Sequence, residues 1–307
     1  MRRVSRAMVC AVLCFGALAA CSSRPEAAST SHASESAHTV EADGPSSDRS
    51  SAGDRATPPA TPPSRRPPVS YTPSWPDRTV RNSAGHLVDT CVPKSLRDKA
   101  TTLTTSDGVH LSALELGSGP DGVLLDHEQG YNICSFLDIG KELASRGYHV
   151  MLPEYRNHGA SEKAADNDHL LRDARAALAE LKRLGAERVF LGGASCGGTT
   201  AALTGAEGRL PVVGLLIMSS PARCGGDGVA AVRTIKAASL FVVSPGDMNG
   251  AVEKQVRELY AASGAKDKKL VIDQSGFHGT DMIRRGGPQG AALYDRVIRF
   301  VESCYGR

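Results

Sequence analysis

Residues 189–200 read Val189-Phe190-Leu191-Gly192-Gly193-Ala194-Ser195-Cys196-Gly197-Gly198-Thr199-Thr200. Val189, Phe190 and Leu191 have the branched and aromatic character of a short strand, and the small residues after them enter a helix through Thr199, Thr200 and Leu203. Between the two lies a Gly-x-Ser-x-Gly pentapeptide centred on Ser195. A serine on so tight a strand-to-helix turn crowds the residues two before and two after it, so Gly193 and Gly197 must both lack a Cβ. The turn lifts the hydroxyl off the sheet. The helix behind it aims unpaired N–H groups and a partial positive charge at any oxyanion formed there. Alone, the pentapeptide also reads as a plain glycine-rich turn, so its partners must decide.

A nucleophilic serine needs a general base, and the base needs a group that holds its tautomer. In strand–elbow–helix architectures these follow the serine in the order acid, then histidine. Downstream, the apolar run Leu240-Phe241-Val242-Val243 leads into Ser244-Pro245-Gly246-Asp247, and Leu270-Val271-Ile272 leads towards Ser275-Gly276-Phe277-His278-Gly279. Both candidates sit just past the C-terminal end of an expected strand, where open parallel sheets place their chemistry. With these motifs, residues 101–307 resemble the α/β-hydrolase superfamily. The resemblance implies Ser195 as nucleophile, Asp247 as acid and His278 as base.

The remaining periodicity agrees. Residues 101–104 and 109–116, joined through Ser106-Asp107-Gly108, predict a β-hairpin. Strands are expected at 122–126, 150–153 and 212–218. Helical stripes run through Phe136, Ile139 and Leu143; through Leu171, Ala174, Leu178 and Leu181 behind Asp166-Asn167-Asp168; through Val252, Val256 and Leu259; and through Leu293, Val297, Ile298 and Val301. Alternating strands and helices predict an α/β fold, a mostly parallel sheet with helices on both faces. With the resemblance, this becomes an α/β-hydrolase fold of about eight strands. Only about twenty residues separate Met218 from Leu240, where such enzymes insert a lid, so no substantial cap is expected.

Two further stretches match the superfamily. After the strand at 122–126, relatives carry His-Gly and then a residue whose N–H completes the oxyanion hole. Here the run is Asp126-His127-Glu128-Gln129-Gly130, so the resemblance gives Gln129 and Cys196 as the two oxyanion donors and His127 as a structural hydrogen-bonder. Glu128 replaces the usual glycine. A carboxylate there is a burden on a developing oxyanion unless it points away. Glu154-Tyr155-Arg156-Asn157-His158-Gly159-Ala160-Ser161 resembles the superfamily's Asp-x-Arg-Gly-x-Gly-x-Ser loop, which is architectural.

The N-terminal part is different material. Arg2, Arg3 and Arg6 precede an apolar run at 8–17 that is too short to span a bilayer. Leu18-Ala19-Ala20-Cys21 then resembles a bacterial lipobox. Residues 1–20 are therefore expected to be a lipoprotein signal peptide and Cys21 the lipidated N-terminus, placing the protein outside the cell, anchored to the membrane surface. Residues 21–81 are rich in Ser, Ala, Thr and Pro with almost no large aliphatic residues, and are expected to form a disordered tether. Residues 82–307 have the length of one catalytic domain.

Eight cysteines are present. Cys10 and Cys14 leave with the signal and Cys21 takes lipid, so Cys91, Cys134, Cys196, Cys224 and Cys304 remain. Cys196 belongs to the elbow and is expected to be a free, buried thiol. In the fold that the resemblance implies, Cys134 and Cys224 lie on the catalytic rim, with Cys91 and Cys304 toward the opposite end. That arrangement favours Cys134–Cys224 and Cys91–Cys304 among the three possible connectivities.

Other chemistries lack their residues. No second histidine follows His127-Glu128 at metal-binding spacing, no Lys follows the glycines at 193–198, and no Gly-x-Gly-x-x-Gly opens a helix. A net charge of +3 gives no case for nucleic acid. The expectation is a cofactor-free serine hydrolase acting on an acyl bond, most simply a carboxylic ester, in a small or surface-presented substrate. Thioesterase, peptidase and acyltransferase are the same-class alternatives. Glu128 motivates a different one, a surface-tethered binding protein that keeps the scaffold without turnover. None of these motifs speaks to oligomeric state.

Overall fold

The computed structural model describes residues 70–165 and 169–307. The expected signal peptide, Cys21, residues 21–69 of the expected tether and the expected helix start at Asp166–Asp168 lie outside the described residues.

The chain first makes a two-stranded antiparallel ribbon, β1 (Thr79–Arg81) and β2 (Leu87–Asp89), with Val80 opposite Val88. The expected hairpin follows as β3 (Ala100–Thr104) and β4 (His110–Leu116), with Thr102 opposite Ser112. Then strands and helices alternate: β5 (Asp121–Asp126), α1 (Leu137–Ser145), β6 (His149–Pro153), α2 (Leu170–Arg183), β7 (Arg188–Ala194), α3 (Cys196–Ala206) and β8 (Val212–Met218). The chain ends with α4 (Gly228–Thr234), β9 (Ala238–Val243), α5 (Ala251–Ala262), β10 (Lys268–Ile272), α6 (Asp281–Arg284) and α7 (Gly287–Cys304). Eight strands form one sheet in the order β10-β9-β8-β7-β5-β6-β4-β3. From β10 to β6 neighbours are parallel; β4 and β3 are antiparallel.

The parallel strands are apolar along their length because both faces are covered. Alternate side chains sort to opposite cores. Val123, Leu125, Phe190, Leu216 and Val242 face α1 and α7, meeting Ile139, Leu143, Leu293 and Val297. Leu124, Leu191, Ile217 and Phe241 face the other way, onto Leu178 and Leu181 of α2, Ala201 of α3 and Val256 of α5. Residues 219–237, between β8 and β9, hold only the short α4, so no cap stands over the sheet. No helix among the described residues is long and apolar enough to cross a membrane.

Two expectations are corrected. The folded body reaches back into the segment assigned to the tether. Ser74 and Trp75 donate backbone N–H groups to the Ser161 and Gly159 carbonyls at 2.9 and 3.1 Å, and residues 79–81 are β1. The cause is backbone pairing, which a composition poor in aliphatic residues does not announce. The cysteine pairs also differ. They are Cys91–Cys134 and Cys196–Cys224, leaving Cys304 as the free thiol. The β1–β2 ribbon carries Cys91 to the same rim as Cys134, and Asn132 Nδ2 donates to Asp89 Oδ2 (3.3 Å) beside it. Cys196, at the start of α3, faces the loop after β8, whereas Cys304 ends α7 at the opposite edge. There a Cβ on Gly214 would lie 2.5 Å from its sulfur.

Beneath the rim, Asp126 closes β5 with its side chain wholly buried. Neither carboxyl oxygen has a well-formed hydrogen bond, although the Tyr155 hydroxyl lies beside it. Burial pushes this carboxyl from 3.8 up to about 8. The folded chain therefore holds a proton that the unfolded chain releases. The contribution to stability is full below the ordinary carboxylate range and is lost as pH rises toward about 8, by about 1 kcal/mol per pH unit. Asp126→Asn has no such linkage. Its melting temperature relative to wild type should climb steadily between about pH 5 and about pH 8; a flat difference by calorimetry would show that Asp126 is already ionised in the native chain.

Candidate active site

Ser195 is the residue on which β7 turns into α3. Its φ of 50° and ψ of −128° lie where L side chains are rarely found, at a cost on the order of 1–3 kcal/mol. The neighbours hold it there. Its N–H donates to the Met218 carbonyl (2.8 Å), and its own carbonyl accepts from Gly198 N–H (3.0 Å). A Cβ on Gly193 would lie 2.4 Å from the Gly197 carbonyl group, and one on Gly197 would lie 2.2 Å from the Asp126 oxygen. Both glycines are thus required by close approach, and Ser195 stays half-buried while residues 192–194 and 196–198 are buried.

Asp247 lies in the loop after β9, and its side chain is buried. His278 follows β10, and its Nδ1 stands 2.9 and 3.1 Å from the two Asp247 carboxylate oxygens. With Nδ1–H donated to Asp247, the lone pair rests on Nε2, the nitrogen that takes a proton. The histidine loop abuts the elbow, since a Cβ on Gly279 would lie 3.5 Å from the Ala194 Cβ. All three residues therefore stand past the C-terminal ends of strands in one sheet, β7, β9 and β10, with the acid and base in contact. The Asp247 hydrogen bond, helped by the charges of Glu128 and Asp281, holds the imidazole above its ordinary range against the opposing effect of burial.

Gln129 is exposed just past the end of β5, and Cys196 begins α3. Neither N–H donates to a protein acceptor among the described residues.

Glu128 is held by the histidine loop. Its Oε1 accepts from Thr280 N–H at 3.1 Å and from the Thr280 hydroxyl. Tyr131 makes a second latch, its hydroxyl donating to Asp281 Oδ2 at 2.9 Å. The loop after β5 is thereby locked to the histidine loop. Through Oε1 Glu128 is a fastener, while its Oε2 is buried without a hydrogen-bond partner among the described residues and the carboxylate stays close enough to raise the His278 imidazole. Sequence reasoning did not find Thr280, Tyr131 or Asp281, because no local pattern links groups some 150 positions apart.

His127 and His158 are structural, as expected. His127 Nδ1 donates to the Glu128 carbonyl (2.8 Å), and its Nε2 accepts from Tyr155 N–H (3.0 Å). Burial lowers it to about 3, so it is neutral. His158 Nε2 accepts from Gly130 N–H at 3.1 Å. Arg156, buried, grips Asp173 and Asp107 and fixes the loop after β6. Among the described residues no group of three His, Cys, Asp or Glu could hold a metal ion.

In an NMR titration, the His278 imidazole should change protonation above the range of exposed histidines. Glu128→Gln keeps the acceptor for Thr280 but removes a charge, so it should move the midpoint down. Asp247→Asn should move it down further. An unchanged midpoint in Glu128→Gln would deny Glu128 any electrostatic part.

The profile of the family described as serine aminopeptidase, S33, matches residues 122–244, less than half of the chain. No curated protein matches. Among solved structures, an esterase of Pyrococcus furiosus superposes with a TM-score of 0.56 at 18% identity, covering 67% of this chain and 92% of that one. A monoacylglycerol lipase from Paleococcus ferrophilus gives 0.54 at 16% identity, covering 63% and 99%. An esterase from Exiguobacterium antarcticum gives 0.54 at 14% identity, covering 66% and 99%. At these identities the likeness speaks for architecture, and with the strand order above it establishes that this chain has the α/β-hydrolase fold.

Proposed function

We propose that the chain is a serine hydrolase that cleaves carboxylic esters through Ser195, His278 and Asp247. The observation that carries this reading is the Asp247–His278 pair, 2.9 Å apart, with His278 on a loop that abuts the strand-to-helix turn holding Ser195 at positive φ. In that arrangement His278 Nε2 takes the Ser195 proton as Oγ attacks the ester carbonyl. The Asp247 carboxylate steadies the imidazolium, and the Gln129 and Cys196 N–H groups receive the oxyanion, each worth roughly 3–4 kcal/mol. The alcohol leaves with the proton from His278. Water, activated by the same histidine, then releases the acid and restores Ser195.

The site lies open at the rim, without a cap, which suits small or externally presented esters. The similarity to esterases and a lipase supports an ester over an amide; the S33 profile is the reason to test peptides too. A fluorophosphonate probe should label wild type and not Ser195→Ala. A panel of p-nitrophenyl esters should turn over faster than aminoacyl p-nitroanilides. Unlabelled wild type would favour the binding-protein reading, and preferential anilide cleavage would favour a peptidase.

The N-terminal sequence supports a second proposal, that the protein is exported and anchored through lipid on Cys21 to the outer membrane face. Radiolabelled palmitate should be incorporated by wild type, and Cys21→Ala should abolish it; incorporation that survives the substitution would remove the anchor.

A further inference from the structure

Three large hydrophobic side chains are exposed among the described residues: Trp75 at 58%, Tyr131 at 37% and Met248 at 64%. Two of them, Trp75 and Tyr131, line a single cleft of about 320 Å³. The other side chains facing it include Arg78, Asp89, Asn132 and Asn157, and no aliphatic side chain lines it. Aliphatic groups such as Ile139 and Ile283 line instead a separate cavity of about 380 Å³.

The cleft is built. The Trp75 backbone is pinned by its amide N–H on the Gly159 carbonyl (3.1 Å), and Ser74 Oγ donates to the Ser161 carbonyl (3.0 Å) just before it. Tyr131 is fixed by Asp281. Asp89, 3% exposed, accepts from Cys91 N–H at 2.8 Å and faces Asn132, while the Cys91–Cys134 bond ties the two sides together. Its floor adjoins the oxyanion loop, since Gly130 and Tyr131 line the cleft and directly follow Gln129.

This composition selects its ligand. An acyl chain wants an aliphatic surface, whereas Trp and Tyr offer a flat apolar face with a polar edge. A pyranose ring offers a flat C–H face for an aromatic ring and a rim of hydroxyls. Each hydroxyl both donates and accepts, so it can meet a guanidinium and the remaining capacity of carboxylate and amide groups beside an aromatic platform. The Arg78 guanidinium makes no ion pair among the described residues, which suits it to hydroxyl oxygens.

We propose that this cleft is a carbohydrate subsite, so that the ester cleaved at Ser195 is carried on a sugar hydroxyl. The substrate clause rests on the hydrolase reading; the binding clause does not. In the reaction, the Ser195 Oγ–acyl bond forms as the acyl–sugar oxygen bond breaks. The sugar hydroxyl leaves with the His278 proton, and water hydrolyses the acyl-enzyme to the free acid.

Trp75 is the chain's single tryptophan, so its emission reports on this cleft alone. In full-length Ser195→Ala, titration with glucose-, xylose- and N-acetylglucosamine-based oligosaccharides should give a saturable shift in emission for at least one series. Tyr131→Ala and Arg78→Ala, checked for an unchanged melting temperature, should weaken that binding at least tenfold. Calorimetry on Trp75→Ala should show the same loss without relying on the reporter. If no sugar shifts the emission while wild type reacts with fluorophosphonate, the subsite is overturned and the hydrolase reading stands. Emission that responds to alkyl alcohols and not to sugars makes the cleft an acyl groove and also overturns it. Sugar binding in a chain whose serine is unreactive keeps the subsite and overturns the sugar-ester hydrolysis.

Discussion

The contact on which the rest depends is the seating of Gly197 against the end of β5. A single carbon added there would come within 2.2 Å of the Asp126 carbonyl oxygen and 2.5 Å of the His127 one. No side chain larger than hydrogen fits. That closeness brings the first turn of α3 alongside the loop that leaves β5. It also fixes the strained serine, because a looser packing would let the elbow relax into ordinary backbone.

Around this contact the structure spends its cross-links on loops. Glu128 and Tyr131 fasten the loop after β5 to the segment following His278. Cys91–Cys134 fastens the start of the next helix to the N-terminal ribbon, and Cys196–Cys224 fastens the elbow to the loop after β8. Strand ends alone leave side chains on mobile loops; fastening the loops to each other holds Asp247 and His278 in one geometry. Tyr131 and the Cys91–Cys134 bond belong to the aromatic cleft as well, so the cleft and the histidine loop share fasteners.

Much of this was legible in the chain. Apolar runs such as Leu240–Val243 could only be strands covered on both faces, and the glycines at 193 and 197 declared the turn through steric need. Asp247 and His278 were readable because their place after a strand is a local property. What was not readable is pairwise. The partner of Glu128 is Thr280, and nothing near either residue names the other. The cysteine pairing failed for the same reason, since it depended on where the β1–β2 ribbon carries Cys91. Residues 70–78 hid because their order comes from backbone hydrogen bonds to another loop, which composition does not record.

The disulfides also tie the finished state of the site to chemistry outside the fold. Each closes a stretch of the chain, 43 and 28 residues apart in sequence, and in a chain-entropy account removes about 3–4 kcal/mol of freedom from the unfolded ensemble. Reducing compartments keep such sulfurs apart. A newly made copy held among cellular thiols would have the sheet but slack loops around Ser195, and would tighten only on meeting an oxidising environment.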